Sequence, residues 1–168
     1  SWMPGRARQM NEGAQRTTGQ SLLFLHADTV LPAGAGDLVL RALEVPGVAA
    51  GAFGFRLDKT GFAYRVIEGG ARLRNRLVGL PYGDQGLFVS RSTFEALGGF
   101  ADMAIMEDFD LVVRAARRGK VVVLPEAAIT SARRYEHRGV YRLMVRHWVL
   151  AARFRFGWRP GPTEHVAR

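Results

Sequence analysis

Apolar runs of strand length alternate with segments of helical spacing, and this alternation limits the fold more than any other feature of the chain. The runs SLLFL at 21–25 and VAAGAFGFRL at 48–57 are typical of buried strands, whereas 62–78 has the spacing of a basic amphipathic helix. Such alternation predicts one α/β domain with a largely parallel sheet. The predicted strands are 21–25, 48–57, 86–90 and 121–124, and the predicted helices are 6–18, 33–45, 62–78, 92–97, 107–118 and 140–156.

Composition narrows the class of protein further. The 168 residues are 48% hydrophobic, which is enough for the core of one domain. The chain has no cysteine, which excludes disulfides, thiolate metal sites and cysteine nucleophiles. It shows no apolar run of membrane-spanning length and no secretory leader, so we expect a cytoplasmic protein.

The charge of the chain is concentrated near its C-terminal end. The formal net charge is +9, from 24 basic and 15 acidic residues. Residues 131–168 contain nine arginines and two glutamates, so the rest of the chain is close to neutral. This distribution favours a basic C-terminal segment over a general nucleic-acid-binding surface, and no nucleic-acid partner is expected.

Two polar side chains follow the first predicted strand. His26 and Asp28 alternate with Ala27, so both side chains point to one side of an extended segment. Ligands of open α/β sheets bind beyond the carboxyl ends of the strands, and a carboxylate beside an imidazole suits a divalent cation. The alternative is that Asp28 turns the chain or caps the next helix.

A second acidic pair opens the predicted helix 107–118. Glu107 and Asp108 stand in the segment MEDFDL, where the positive end of a helix favours charged carboxylates. Helix capping explains them without any function. The functional interpretation is that an ionised carboxylate near a cleft takes a proton from a hydroxyl nucleophile.

Two further segments have the character of ligand loops. Glycines bracket Asp84 and Gln85 in PYGDQG, which lets the backbone approach a ligand closely; a tight turn before an edge strand is the alternative. In GRARQMNEG, Arg6, Arg8 and Asn11 lie near a helix N-terminus, which suits a phosphate. A solvated helix face is the alternative there.

Together, in this order, these segments resemble the family-2 glycosyltransferases. The resemblance rests on GRARQMNEGA, LLFLHADT, GDQGLFVSRSTFEALGGF, MEDFDLVVRAARRGKVVVLP and SARRYEHRG, and it covers about residues 4–157. It implies the GT-A fold of nucleotide-diphospho-sugar transferases, an α/β Rossmann-like mixed sheet flanked by helices. Within the family, FLHADT, PYGDQGLF and SARR are most similar to a bacterial subgroup of selenium-domain-associated or arsenosugar-pathway transferases.

The resemblance implies a metal-dependent, inverting sugar transfer. Asp28 matches the last residue of the family's D-x-D element, which binds Mg²⁺ or Mn²⁺ on the donor diphosphate. His26 stands where that element begins with aspartate, which is a departure from the family. Asp108 matches the catalytic base, and Glu107 is its neighbour in the acceptor site.

The remaining implied site residues belong to the nucleotide-sugar donor. Asp84 and Gln85 match the loop beside the donor sugar and the acceptor, and Arg6 and Asn11 match positions near the nucleotide. Arg133 and Arg134 resemble a basic element that contacts the leaving diphosphate, although Tyr135 stands where the family has tryptophan. The acceptor is an unidentified hydroxyl compound.

The resemblance also leads us to expect an N-terminally truncated domain. The family begins with a strand, a helix and a second strand that hold the nucleotide, and nothing before residue 4 matches them. We therefore expect residues 1–157 to be a partial GT-A domain, followed by a flexible tail at 158–168. Weak donor binding, low activity of this chain alone, and homo-oligomers formed through open sheet edges are expected consequences.

An alternative function is a non-catalytic module that binds a membrane surface or a partner protein. The predicted helix 140–156 has an apolar face and several arginines, and such a helix lies on an anionic inner membrane surface. The same face also suits packing against the domain or a partner subunit.

Overall fold

A computed structural model describes residues 5–78, 81–133, 136 and 149, without the side chains of residues 77 and 78. The predicted helix 140–156, the tail 158–168 and Arg134 fall outside the described residues, apart from residue 149. In chain order, the elements are α1 (Arg6–Gln15), β1 (Ser21–Phe24), β2 (Thr29–Val30), α2 (Ala35–Glu44), β3 (Val48–Leu57), α3 (Phe62–Val78), a 3₁₀ turn (Gly83–Gln85), β4 (Leu87–Ser90), α4 (Arg91–Ala96), α5 (Glu107–Ala116) and β5 (Lys120–Thr130). No described helix is both long enough and apolar enough to cross a membrane.

The five strands form one mixed sheet in the order β1-β4-β3-β5-β2. Only β3 and β5 pair in parallel; the β1–β4, β3–β4 and β2–β5 pairs are antiparallel. The expectation of a largely parallel sheet is therefore wrong, and that of a mixed sheet flanked by helices is confirmed. The alternation argument treats every helix as a crossover between parallel strands, but β4 returns after α3 between β1 and β3 and runs against both.

Strand β5 is longer than its sequence pattern predicts because it passes through a bulge. Ala52 of β3 faces Val123, whereas Gly54 faces Ala127, so β5 has extra residues around Pro125. A proline has no N–H to give to a strand ladder, and a bulge is one of the few places in a sheet that accepts it. Beyond the bulge, β5 reaches Thr130, where the two-residue strand β2 pairs with it.

Three apolar clusters hold the helices against this sheet, and the smallest of them joins α3 to β3. In the first, α1, α4 and α5 pack on β1 and β4, with Leu22, Leu87 and Val89 buried beneath them. In the second, α2 covers β3 and β4, where the fully buried rings of Phe53 and Phe88 meet edge to face at 5.8 Å between centroids. Truncating either ring to alanine removes a buried aromatic side chain and costs about 3–5 kcal/mol.

Strand directions bring several predicted site segments to one edge of the sheet. Strands β1 and β3 both run against β4 and are therefore parallel to each other, and β5 is parallel to β3. The carboxyl ends of β1, β3 and β5 thus lie at the edge where β4 begins. The segments that leave or enter the sheet there are 25–28, 131–133 and 81–86.

Candidate active site

Arg6 lies at the centre of a charged cluster at this edge. It is the first residue of α1, and its side chain is 44% exposed. Its Nε donates to Glu107 Oε1, its Nη2 lies 3.9 Å from Asp108 Oδ2, and its Nη1 lies 3.4 Å from His26 Nε2. Helix α1, the end of β1 and the start of α5 therefore meet through one guanidinium group.

Asp108 is held by two backbone amides. Gly83 N donates to its Oδ2 at 2.7 Å, and Phe109 N donates to its Oδ1 at 2.8 Å. A β-carbon on Gly83 would lie 2.6 Å from that Oδ2, so the close approach of loop and carboxylate requires glycine. Because each oxygen accepts only one backbone N–H, the carboxylate keeps lone pairs for a further donor.

Glu107 is almost completely buried, with 1% of the residue exposed. Burial and the neighbouring charge of Asp108 raise its pKa, while the hydrogen bond and the charge of Arg6 oppose that rise. Burial also opposes the charge on Arg6, but Glu107, Asp108 and the nearby Asp84 together raise the pKa of Arg6 above its ordinary value. The cluster thus combines one cation with three acidic side chains.

A strained residue begins the helix that carries both carboxylates. Met106 is buried and has a φ of 69°, in the left-handed region that residues other than glycine rarely adopt. Helix α5 starts immediately after it, so Glu107 and Asp108 both lie in the first turn. The positive end of the helix dipole favours ionised carboxylates in this position.

The loop that presents Gly83 is held by a buried polar network. Gln85 is fully buried; its Nε2 donates to Phe53 O at 2.9 Å, and its Oε1 accepts from Arg74 Nη2 at 2.8 Å and from Tyr82 N at 3.2 Å. The guanidinium of Arg74 stacks 3.9 Å from the centre of the Tyr82 ring. Burial raises the pKa of Tyr82 to about 12 although the charge of Arg74 opposes the rise, so the phenol stays protonated.

The side chain of Asn11 holds the loop before α5 by hydrogen bonds to the loop backbone. Its Nδ2 donates to Phe100 O at 2.9 Å, and its Oδ1 accepts from Phe100 N at 2.9 Å. Gly99 passes so close that a β-carbon there would lie 2.7 Å from Asn11 Oδ1. The side chains of Asn11 and Gln85, both predicted to lie near the donor, are thus bonded to protein backbone.

His26 and Asp28 form a turn between β1 and β2. Thr29 N donates to His26 O at 3.1 Å, and Ser131 N donates to Asp28 O at 3.0 Å, which ties the turn to the end of β5. Both side chains are half-buried. Among the described residues, no group of three or more His, Cys, Asp or Glu side chains is arranged to hold a metal.

The residues of this turn can bind a cation only together with ligands from elsewhere, such as the phosphates of a substrate. Mg²⁺ is commonly bound through one or two carboxylates together with substrate phosphates, and Asp28 supplies one carboxylate. Asp84 is half-buried in the loop beside Arg6, and the exposed Arg133 follows the end of β5. Arg134 and Tyr135 lie outside the described residues.

Sequence reasoning missed Gly83 and Arg74. The glycine-rich loop indicates a close approach of backbone, but nothing in PYGDQG says that the Gly83 amide meets Asp108, 25 residues away. Arg74 resembles its exposed neighbours Arg72 and Arg76 in sequence, yet it alone of the three is buried. Its place on α3, facing the loop, is a property of the tertiary structure.

Comparison with known proteins supports the fold. No protein-family model matches the sequence, and no curated protein matches it. Among solved structures, a mannosyltransferase from Pyrobaculum calidifontis in complex with GDP-mannose and Mn²⁺ aligns with a TM-score of 0.56 at 18% identity. The alignment covers 77% of this chain and 36% of that protein, so this chain corresponds to about a third of its length. The chain shares its fold with part of a glycosyltransferase.

Proposed function

We propose that the protein transfers a sugar from a nucleotide-diphospho-sugar to an acceptor hydroxyl, with inversion at the anomeric carbon. The observation that carries this proposal is the Asp108 carboxylate, held by Gly83 N beside Arg6 and Glu107. It lies at the strand-end edge of a sheet whose fold is shared with a mannosyltransferase. The motifs that resemble family-2 glycosyltransferases of the GT-A fold include this same pair of carboxylates.

In this proposal, Asp108 is the general base. It takes the proton of the acceptor hydroxyl while the hydroxyl oxygen attacks the anomeric carbon. The bond between that carbon and the phosphate oxygen breaks, and its electron pair leaves with the nucleoside diphosphate. A single displacement inverts the anomeric configuration. Glu107 lies on the acceptor side and fixes Arg6 through their ion pair.

The donor side of the proposed site uses two kinds of residue. Arg6 and Asp84 lie in the charged cluster itself. Asn11 and Gln85 instead hold the nearby loops in place through hydrogen bonds to the backbone. Asp28, with His26, would hold Mg²⁺ or Mn²⁺ together with the donor diphosphate, and a bound cation supplies charge neutralisation for the leaving group. Arg133 and Arg134 are proposed to contact the same diphosphate.

The test is the turnover of an Asp108→Asn variant. Release of nucleoside diphosphate is measured with Mn²⁺ and a set of UDP- and GDP-sugars, with water or a simple alcohol as acceptor. We expect a loss of at least about 100-fold, because general base catalysis contributes a factor of this order. Asp37→Asn is the matched control, since Asp37 is exposed on α2 and is not one of the residues of the charged cluster. Turnover that is undiminished in Asp108→Asn would overturn the proposal.

The alternative of a membrane-surface or partner-binding module depends on the predicted helix 140–156. That helix lies outside the described residues, so this alternative stays a prediction, as do contact with the inner membrane surface and homo-oligomer formation. Salt-sensitive co-sedimentation of the chain with anionic vesicles tests the membrane contact.

A further inference from the structure

A basic groove lies along α3, on residues to which the proposed transfer assigns no role. It has a volume of about 660 Å³ and runs between α3, the second half of β3 and the first half of β5. This volume falls within the range of ordinary ligand pockets, about 300–1,000 Å³. We call it the α3 groove.

Its charge comes mainly from arginines in line on one helix. Arg65, Arg72 and Arg76 line the groove from α3, seven and four residues apart, and at 3.6 residues per turn they point within about 40° of one another. All three are exposed. Arg56 lines the groove from β3 and is exposed as well.

These four arginines lack compensating partners within the described part of the chain. Lys59, also on the groove, is already paired with Glu136 at 2.5 Å. The one acidic residue of the lining is Glu68, whose Oε1 accepts from Leu57 N at 3.0 Å. Four arginines against one glutamate leave three uncompensated positive charges, and like charges four residues apart on a helix are destabilising. An anionic partner would relieve this repulsion.

The C-terminal segment of the chain is a poor electrostatic match for the groove. Residues 134–168 contain eight arginines and two glutamates. Its charge therefore has the same sign as that of the groove. Charge complementarity favours an occupant from outside the chain.

The shape and the lining of the groove favour a peptide. From Arg65 to Arg76 the helix rises about 16 Å, the length of roughly five residues of extended chain. Between the charges, the lining includes the aliphatic side chains of Val121, Val123 and Leu124. A planar bilayer does not reach the bottom of a groove. Phe55, the one aromatic residue of the lining, is buried, so no ring is available for stacking on nucleic-acid bases.

We propose that the α3 groove binds an extended acidic segment of a partner protein. Carboxylates of the segment pair with Arg65, Arg72 and Arg76, and its aliphatic side chains pack on the apolar residues of β5 that line the groove. The groove shares no lining residue with the charged cluster of the proposed transfer, and its test does not depend on that activity.

The test measures binding of a fluorescein-labelled peptide of alternating glutamate and leucine by anisotropy at low salt. The variant is Arg65→Gln/Arg72→Gln/Arg76→Gln. Its changes are on exposed side chains, so we expect the fold to stay intact, which circular dichroism checks. The control variant Arg41→Gln/Arg117→Gln/Arg118→Gln removes the same charge from exposed arginines elsewhere. A second peptide with glutamine in place of glutamate has the same shape without the charge.

We expect the acidic peptide to bind, and the groove variant to weaken it at least about tenfold while the control variant weakens it less than about twofold. Binding of the acidic peptide should weaken as the salt concentration rises, because salt screens the ion pairs between its carboxylates and the arginines. No binding at low salt, or equal weakening by both variants, would overturn the proposal. So would tighter binding of oligothymidylate or of phosphatidylserine vesicles with the same dependence on the three arginines, because the surface would then serve nucleic acid or membrane.

Discussion

Replacing Gly83 by alanine tests how the proposed base is held. The new β-carbon would lie 2.6 Å from Asp108 Oδ2, 3.0 Å from its Cβ and 3.2 Å from its Cγ. Gly83 does not have a positive φ, so alanine accepts its backbone conformation and the effect comes from the contact alone. The carboxylate has to move, and the 2.7 Å hydrogen bond from Gly83 N is lost.

The size of this effect follows from two known costs. Overpacking of a tight contact costs about 1–3 kcal/mol, and losing a hydrogen bond to a charged group costs about 1.5–3 kcal/mol. The two overlap, so we expect the free energy of unfolding to fall by about 2–4 kcal/mol, which lowers the Tm of a domain of this size by about 4–16 °C. If Asp108 is the base, donor turnover should fall by about 100-fold as well, because a misplaced catalytic group costs that much.

The assay is urea unfolding of a double-mutant cycle. In an Asp108→Ala background, the two carboxylate contacts of the new methyl group are gone, so Gly83→Ala should cost at least about 1 kcal/mol less than in the wild type. Gly69→Ala is the matched control: it lies within α3 with no atom within 4 Å of the added carbon, and should stabilise the protein by about 0.5–1 kcal/mol. Equal costs of Gly83→Ala in both backgrounds would refute the reasoning.

Two further predictions concern buried groups of the same site. Because the folded-state pKa of Glu107 is raised, its contribution to stability is present at low pH and is lost as the pH rises above the ordinary pKa of 4.5. Urea unfolding at a series of pH values should therefore show a free energy of unfolding that falls with pH, less steeply in Glu107→Gln and more steeply in Arg6→Gln. An unchanged pH dependence in Glu107→Gln would contradict this prediction. Gln85→Leu removes the hydrogen bonds that Gln85 makes to Phe53 O, Tyr82 N and Arg74, and should cost about 2–4 kcal/mol. The exposed Gln15→Leu is the control and should stay within about 0.5 kcal/mol. Equal thermal stability of the two variants would show that the network is not needed.

Much of the local structure could be predicted because hydrophobic periodicity governs it. The predicted bounds of β3 and α3 agree with the observed ones, and those of β1, α4 and α5 differ by one or two residues. Apolar content in these segments determines burial directly. The same local signals predicted that Glu107 and Asp108 begin a helix.

Features that depend on distant parts of the chain could not be predicted in this way. The predicted last strand ended before Pro125, since a proline usually interrupts a strand, but the bulge opposite Gly54 carries β5 on to Thr130. Strand β2 exists because it pairs with that extension, and two residues carry no periodicity of their own. The bond between Gly83 and Asp108 likewise depends on how the sheet brings β4 and α5 together.

We propose that the turn with Asp28 and the charged cluster around Arg6 and Asp108 form one site for a nucleotide-diphospho-sugar. Mn²⁺ broadens the NMR signals of nearby amides, so a titration of the ¹⁵N-labelled protein with Mn²⁺ and GDP or UDP tests this claim most directly. We predict broadening at the amides of Asp28, Gly83 and Glu107 that requires the nucleotide and is lost in Asp28→Asn but kept in Asp37→Asn. Broadening that is absent from these amides, or that is the same in both variants, would contradict the account.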